Sequence, residues 1–432
     1  MDGTKTGSEI PIAEATGEKS SSPFSQKLCD DLKISVIIPA YNVENYIREC
    51  LNSILEENEI SMEVICVDDG STDSTLSILR EYEEKDDRVR VITQKNAGAG
   101  AARNNGMIFA RGEYLAFLDA DDFFDPGMLR LAYERAYLEK SDIVVFRSSE
   151  FIDRTGEYRE IDCGIREDLL PEKRPFAGAE IQKNIFEAFI GWPWDKLFRA
   201  EFIRETQLRF QEQRTTNDAL FVFMAIVKAE RISTMDEVLA YHRRLGDGQS
   251  LSVSREKSWD CFYKALIAMK EQLIAWDLFE RYEQDFVNYA LHFSLWNVNT
   301  IKGNAYRLLY LKLKEEWFQN LGILGQDDHF FYNKDEINNL KTILQIDADE
   351  YVFYRLDWAL NHIHYQERQL NMLNQERDQL KQHLAEAEKR LRQEQESRKE
   401  LQRSKSYQMG RVITWPYREL KDKIKKSPER KP

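Results

Sequence analysis

Between Lys33 and Phe146 the chain alternates short apolar, β-branched runs with stretches of helical periodicity, and no other feature restricts its fold as much. Ile34–Ile38, Met62–Val67, Val89–Thr93, Tyr114–Leu118 and Ile143–Phe146 read as buried strands. Tyr46–Glu56, Ser74–Lys85, Ala99–Ala110 and Gly127–Lys140 read as the helices between them. Parallel neighbours need a crossover and a helix supplies it, so the alternation predicts an α/β domain with a mainly parallel sheet. Ligands of such sheets gather beyond the carboxyl ends of the strands, where loops and helix N-termini converge. The residues just past each strand therefore matter most.

The texture of the sequence predicts five segments. Residues 1–32 are a polar, flexible leader without the apolar stretch of a signal peptide. Residues 33–254 form the α/β domain. Its second half is expected to hold a helix at Glu180–Phe189, a Trp-rich segment at Trp192–Phe198, a helix at Asp218–Glu230, a strand at Val238–Arg243 and a loop at Gly246–Ser250. Residues 255–354 are helical and aromatic, with Trp259, Phe262, Trp276, Phe286, Phe293 and Trp296 expected to pack helices rather than hold a cofactor.

In residues 355–405, Ile363, Leu370, Leu373, Leu380, Leu384, Ala387, Leu391 and Leu401 fall on heptad spacing, while Arg377, Glu394 and Arg398 interrupt it. This predicts a long helix or weak coiled coil, and allows a homodimer. Residues 406–432 mix Met409, Val412, Ile413 and Trp415 with Arg411, Arg418 and Lys421. Such a basic amphipathic tail suits an anionic membrane surface, or equally a helix end docked on protein.

Charge and cysteine usage bound the partners. A net charge of −14 argues against a nucleic-acid grip. Cys29, Cys50, Cys66, Cys163 and Cys261 are scattered and odd in number, as expected of reduced thiols in a cytoplasmic protein. With no apolar run long enough to span a bilayer, the expected attachment is at most peripheral, on the inner face of the plasma membrane.

Four strand exits carry chemistry. The first, Pro39-Ala40-Tyr41-Asn42, offers an aromatic to lie beside a flat base and an amide for a turn or a ribose. The second, Asp68-Asp69-Gly70-Ser71-Thr72-Asp73, puts adjacent carboxylates where a ligand, cation or N–H must offset their repulsion. Either Asp could accept from the imide N–H of a pyrimidine. Beyond the third strand, Gly98-Ala99-Gly100-Ala101-Ala102-Arg103 lets backbone amides approach an anion. Arg103 would then contact a phosphate or orient an acidic neighbour.

The fourth exit is the strongest signal. Asp119-Ala120-Asp121-Asp122 forms a hard-oxygen site for Mn²⁺ or Mg²⁺, ions that share their shell with substrate phosphates. A diphosphate so held leaves without a proton, so transfer needs only one base for the incoming hydroxyl. Asn217-Asp218 places Asp218 before an apolar helix, as a cap or as that base.

Taken together, these segments resemble the family-2, GT-A fold inverting glycosyltransferases of bacterial surface-polysaccharide and cell-wall glycan biosynthesis. The likeness rests on Ile34-Ser35-Val36-Ile37-Ile38-Pro39-Ala40-Tyr41-Asn42, Val67-Asp68-Asp69-Gly70-Ser71, Ala102-Arg103-Asn104-Asn105-Gly106, Phe117-Leu118-Asp119-Ala120-Asp121-Asp122, Trp194-Asp195-Lys196-Leu197-Phe198 and Asn217-Asp218. It implies a GT-A type nucleotide-sugar-binding domain, a UDP-sugar donor and a glycan or lipid-linked glycan acceptor. Pro39, Tyr41 and Asp69 would hold uracil, with Asn42, Asp68, Arg103 and Ala120 nearby, and Asp119 on the ribose side. Asp121 would ligate the metal and Asp218 would be the base. Where the family often has Glu-Asp, this chain has Asn217-Asp218.

Tyr241-His242-Arg243-Arg244 is similar to the family's closing loop. His242 would bind metal or diphosphate, or be structural, and Arg243 or Arg244 would clamp phosphate. Trp194, with Trp192, would wall the sugar or pack beneath the sheet, and Lys196 is a further phosphate or acceptor candidate. Two other readings compete: a non-catalytic sugar-nucleotide-binding scaffold acting through its helical C-terminus, and a nucleotidyltransferase. The second lacks a basic Gly-rich triphosphate loop.

Overall fold

The computed structural model describes residues 31–244 and 255–414. The expectations for residues 1–30 of the leader, for the Gly246–Ser250 loop and for the tail beyond residue 414 lie outside the described residues. The chain divides into two compact units, one ending at Ala348 and the other starting at Asp349.

In the first unit, nine strands form one mixed sheet: β1 (Ile34–Ala40), β2 (Met62–Asp68), β3 (Val89–Thr93), β4 (Tyr114–Phe117), β5 (Phe123–Phe124), β6 (Ile143–Ile152), β7 (Glu157–Glu160), β8 (Lys196–Arg199) and β9 (Ile232–Arg244). Their order is β3-β2-β1-β4-β8-β6-β9-β5, with β7 paired to β6. Four of the five expected strands form the parallel set β3-β2-β1-β4. The fifth, Ile143–Phe146, begins β6, which pairs antiparallel with β8 and parallel with β9, so the sheet is mixed rather than mainly parallel. The crossovers of the parallel set are α1 (Ile47–Leu55), α2 (Thr75–Lys85) and α3 (Ala99–Phe109). Ile34, Val36, Ile37 and Ile38 of β1 are fully buried, as are Val64, Ile65, Cys66 and Val67 of β2. Continuous apolar runs of this kind fit strands covered on both faces.

Register then decides which loops meet. Ala40 lies beside Asp68, and Ile37 beside Phe117, so the exits of β1, β2 and β4 open side by side. β8 runs antiparallel to β4, with Leu197 opposite Ala116, which returns the Trp194-Asp195-Lys196 segment to the same rim. β5 pairs with β9, Phe123 opposite Tyr241, and so draws the acidic loop against His242 and Arg243. α3 is crowded both at its start and in its second half. A Cβ on Gly100 would overlap the Gln211 carbonyl oxygen, and one on Gly106 would press into Ile37. Gly100→Ala should therefore destabilise by about 1–3 kcal/mol through overpacking, read as a lower Tm in thermal denaturation.

α4 (Met128–Glu139), α5 (Ala200–Thr206) and α6 (Ala219–Lys228) complete this part. The expected helix at Glu180–Phe189 is absent: only the single turn Gly178–Glu180 is helical. Asn184 there takes a left-handed φ of 55° and its N–H is drawn to Asp285, which stops helical propagation. The strand expected at Val238–Arg243 is the end of the longer β9.

α7 (Cys261–Ala275), α8 (Phe279–Thr300), α9 (Asn304–Lys312), α10 (Phe318–Asn320) and α11 (Lys334–Gln345) follow in the same unit. Phe262 and Phe286 are buried, and Trp317 stacks on both Trp259 and Tyr263, so these aromatics pack helices. The second unit is built on α12 (Ala348–Arg403), a single long helix. Among the described residues no helix is long and apolar enough to cross a membrane.

Candidate functional site

The β1 and β2 exits are tied to each other. Asn42, at φ 53°, accepts from the Thr72 N–H at 2.8 Å, and the Ser71 hydroxyl accepts from the Asn42 N–H at 3.1 Å. The Asn42 amide thus shapes the rim. Tyr41 stands 47% exposed beside the half-buried Pro39, its ring open to a flat ligand. Asp68 is buried, and among the described residues its carboxylate accepts one hydrogen bond, from the Ser71 N–H at 3.3 Å. Asp69 is buried and tethers the start of α3: its carboxylate accepts from the Gln94 amide and from the Ala97 and Gly98 N–H groups at 2.7–2.8 Å. Of the two acids, Asp68 keeps more free acceptor capacity.

Arg103 is the connector. It is 4% exposed and donates to Asn217 Oδ1 at 2.8 Å and to Asp119 Oδ1. One guanidinium fork thus links the β4 exit to the loop before α6, and Asp218 comes with it. The Asp218 side chain makes no capping bond to α6. Burial pushes its carboxyl up to about 6, against the pull of Arg103. A carboxyl poised there has the properties of a general base.

The acidic loop divides its labour. Asp122 is buried and accepts from the Arg243 N–H at 2.8 Å, with His242 Nδ1 at 3.1 Å. Asp119 is engaged by Arg103. Ala120 is buried between them. Asp121 is the acid left over, and burial, then Asp122 and Asp119, push its carboxyl up to about 7. Among the described residues no three metal-ligating side chains converge into a ready-made cage. Mg²⁺ or Mn²⁺ needs only one or two protein ligands when a diphosphate completes the shell, and Asp121 suits that. His242 fits as well: with Nδ1 held by Asp122, it has the carboxylate–histidine arrangement that leaves Nε2 for an ion. Burial alone would pull the imidazole down, but Asp122 holds it above its ordinary value.

Three expected ligands are placed elsewhere. Lys196 is fully buried, its three N–H donors taken by the Ile190 and Trp192 carbonyls and by Asp195 at 2.6–2.9 Å. It holds the loop and has no donor left for phosphate. Arg243 is likewise consumed, by the Asp121 carbonyl, Asp153 and Glu49, over the rings of Phe123 and Phe151. Trp194 is 2% exposed and stacked on both Trp192 and His242, so it is the half-buried Trp192 that can face a sugar. Arg244 is exposed and paired with Glu150, an interaction weak enough to exchange for a phosphate. Sequence reasoning missed the structural role of Asn217, although its place beside Asp218 was the available signal.

Comparison with known proteins bears on the family and the fold. The family model described as "Glycosyl transferase family 2" matches residues 35–206. The putative glycosyltransferase EpsH of Bacillus subtilis is 30% identical, over 69% of this chain and 84% of its own length. The poly(ribitol-phosphate) beta-glucosyltransferase of Bacillus spizizenii is 32% identical over 67% of this chain, which spans only 44% of that longer protein. Among solved structures, residues 1–349 of S. aureus TarS superpose with a TM-score of 0.52 at 25% identity, covering 68% of this chain and 83% of that one. The shared architecture is the GT-A fold.

Proposed function

This chain belongs to glycosyl transferase family 2, and from that membership we propose that it transfers a sugar, with inversion, from a UDP-sugar to an acceptor hydroxyl on a glycan or lipid-linked glycan. The observation that carries the mechanism is the Arg103 bridge, which ties the loop of Asp218 to the acids at the β4 exit. In this reading the Asp218 carboxylate takes the proton of the acceptor hydroxyl. The hydroxyl oxygen bonds to the anomeric carbon as the bond to the diphosphate breaks, and the nucleoside diphosphate leaves with that electron pair. Attack and departure on opposite faces invert the centre, and one base suffices because the leaving group needs no proton.

Asp121 and His242 are the residues that would hold Mn²⁺ or Mg²⁺. A bound ion would neutralise charge developing on the diphosphate. Tyr41 would lie against the uracil, Asp68 would accept from its imide, and Trp192 would border the transferred sugar. The name of the Bacillus spizizenii relative, a beta-glucosyltransferase, makes hexose donors the first to try.

The test is a panel of UDP-sugars scored by metal-dependent UDP release, with and without glycan acceptors. Chelation and Asp121→Asn are each expected to lower transfer by about a hundredfold or more. Asp121→Asn should also weaken metal-dependent UDP binding. Transfer indifferent to chelation would remove the ion from the proposal. UDP release from no donor would favour the scaffold reading, and pyrophosphate release from a nucleoside triphosphate would favour nucleotidyl transfer.

A further inference from the structure

The second unit carries an exposed apolar seam. Within α12 the buried side chain is Tyr351. Leu370, Leu384 and Leu391 recur at one heptad position and Leu373, Leu380 and Leu401 at the other, every one more than half exposed. A helix of 56 residues draws its stability mainly from packing a face, so a leucine stripe of this length is unfavourable in water. A shallow hollow lined by Leu373, Glu376, Arg377, Leu380, Lys381 and Leu384 lies on the seam and has the form that receives a knob from a facing helix.

The charges that interrupt the seam decide what fills it. In a parallel, in-register pair every heptad position faces its own copy, which would set Arg377, Glu394 and Arg398 each against an identical charge. Reversing one helix removes that conflict. We propose that α12 pairs antiparallel with a second copy of this chain, in the register that sets Arg377 against the partner's Glu394. The same register places Leu370 opposite the partner's Leu401, Leu391 opposite the partner's Leu380, and Leu384 opposite the partner's Ala387. Flanking the seam, Lys381 falls beside the partner's Glu388. A slip of one heptad in either direction would bury Glu394 against a leucine, Leu370 or Leu384, so this register is the one that charge selects. Arg398 then faces a leucine, which its aliphatic stem covers while the head reaches water. Arg377 now donates to the neighbouring Asp378 at 2.9–3.0 Å on the exposed surface, a contact readily exchanged. The pairing is independent of the transferase reading.

Sedimentation velocity of the full chain at micromolar concentration tests it. The expected mass is twice 50.9 kDa. Arg377→Glu and Glu394→Arg should each weaken the dimer about tenfold or more, and the two together should restore it to within about threefold. A parallel pair would give no such rescue, because each position would still face itself. A monomeric wild type, single swaps without effect, or a double swap as weak as the singles would each overturn the proposal.

Discussion

Asp218→Asn is expected to lower turnover by about a thousandfold while making the fold more stable above pH 6. The two effects share one cause. Burial raises the Asp218 carboxyl from 3.8 to about 6, so the native state holds its proton more tightly than the unfolded chain does. Between those values stability falls as pH rises, and above about 6 the full cost of ionising a buried acid is present. An asparagine of the same shape removes that cost, for a gain on the order of 3 kcal/mol at pH 8 and none below pH 4. The same carboxyl predicts an acid limb near pH 6 in the wild-type rate profile. Thermal unfolding at both pH values, with turnover measured alongside, checks the pair of effects. A helix cap would behave oppositely: its loss destabilises, typically by about 1 kcal/mol. Retained turnover would take Asp218 out of the base role.

The parallel half of the sheet was legible because its strands are unbroken apolar runs and its loops concentrate acids at their exits. Burial on both faces writes itself into consecutive residues, and a local window can read it. Phe123–Phe124 escaped because two residues make no period, yet that strand brings the acidic loop to His242. Lys196 and Arg243 misled for a different reason. A cation near clustered acids resembles a phosphate ligand, but whether it is spent depends on partners remote in sequence. Arg243 is neutralised by Asp153 and by Glu49, the latter 194 positions upstream, and no pattern local to Tyr241-His242-Arg243 records either. Asp69 shows the same limit, since the Gln94, Ala97 and Gly98 donors that occupy it come from beyond the next strand. The left-handed turn at Asn184 likewise comes from contact with Asp285 of α8, far outside the segment expected to be helical.

Arg103→Lys should hold the fold but lose about tenfold to a hundredfold in turnover, with the acid limb moving above pH 6. A single ammonium cannot reproduce a planar fork that reaches Asn217 and Asp119 at once. The loop before α6 would then lose its strut to the β4 exit, and a small displacement of the base is enough to slow an in-line attack. The direction of the pH effect comes from charge. Arg103 favours the ionised form of Asp218 and so opposes the upward push of burial. A cation drawn away lets that push prevail, and the carboxyl must be titrated at higher pH before it can accept a proton. Arg103→Ala goes further, stranding the Asp119 carboxylate and the Asn217 amide beside a cavity. It should cost about 3–5 kcal/mol in chemical denaturation. The lysine variant is the decisive one because it separates packing from positioning. An unshifted acid limb with full turnover would reduce Arg103 to a core residue, whereas a shifted limb at near-normal stability would establish that this arginine sets both the place and the basicity of Asp218.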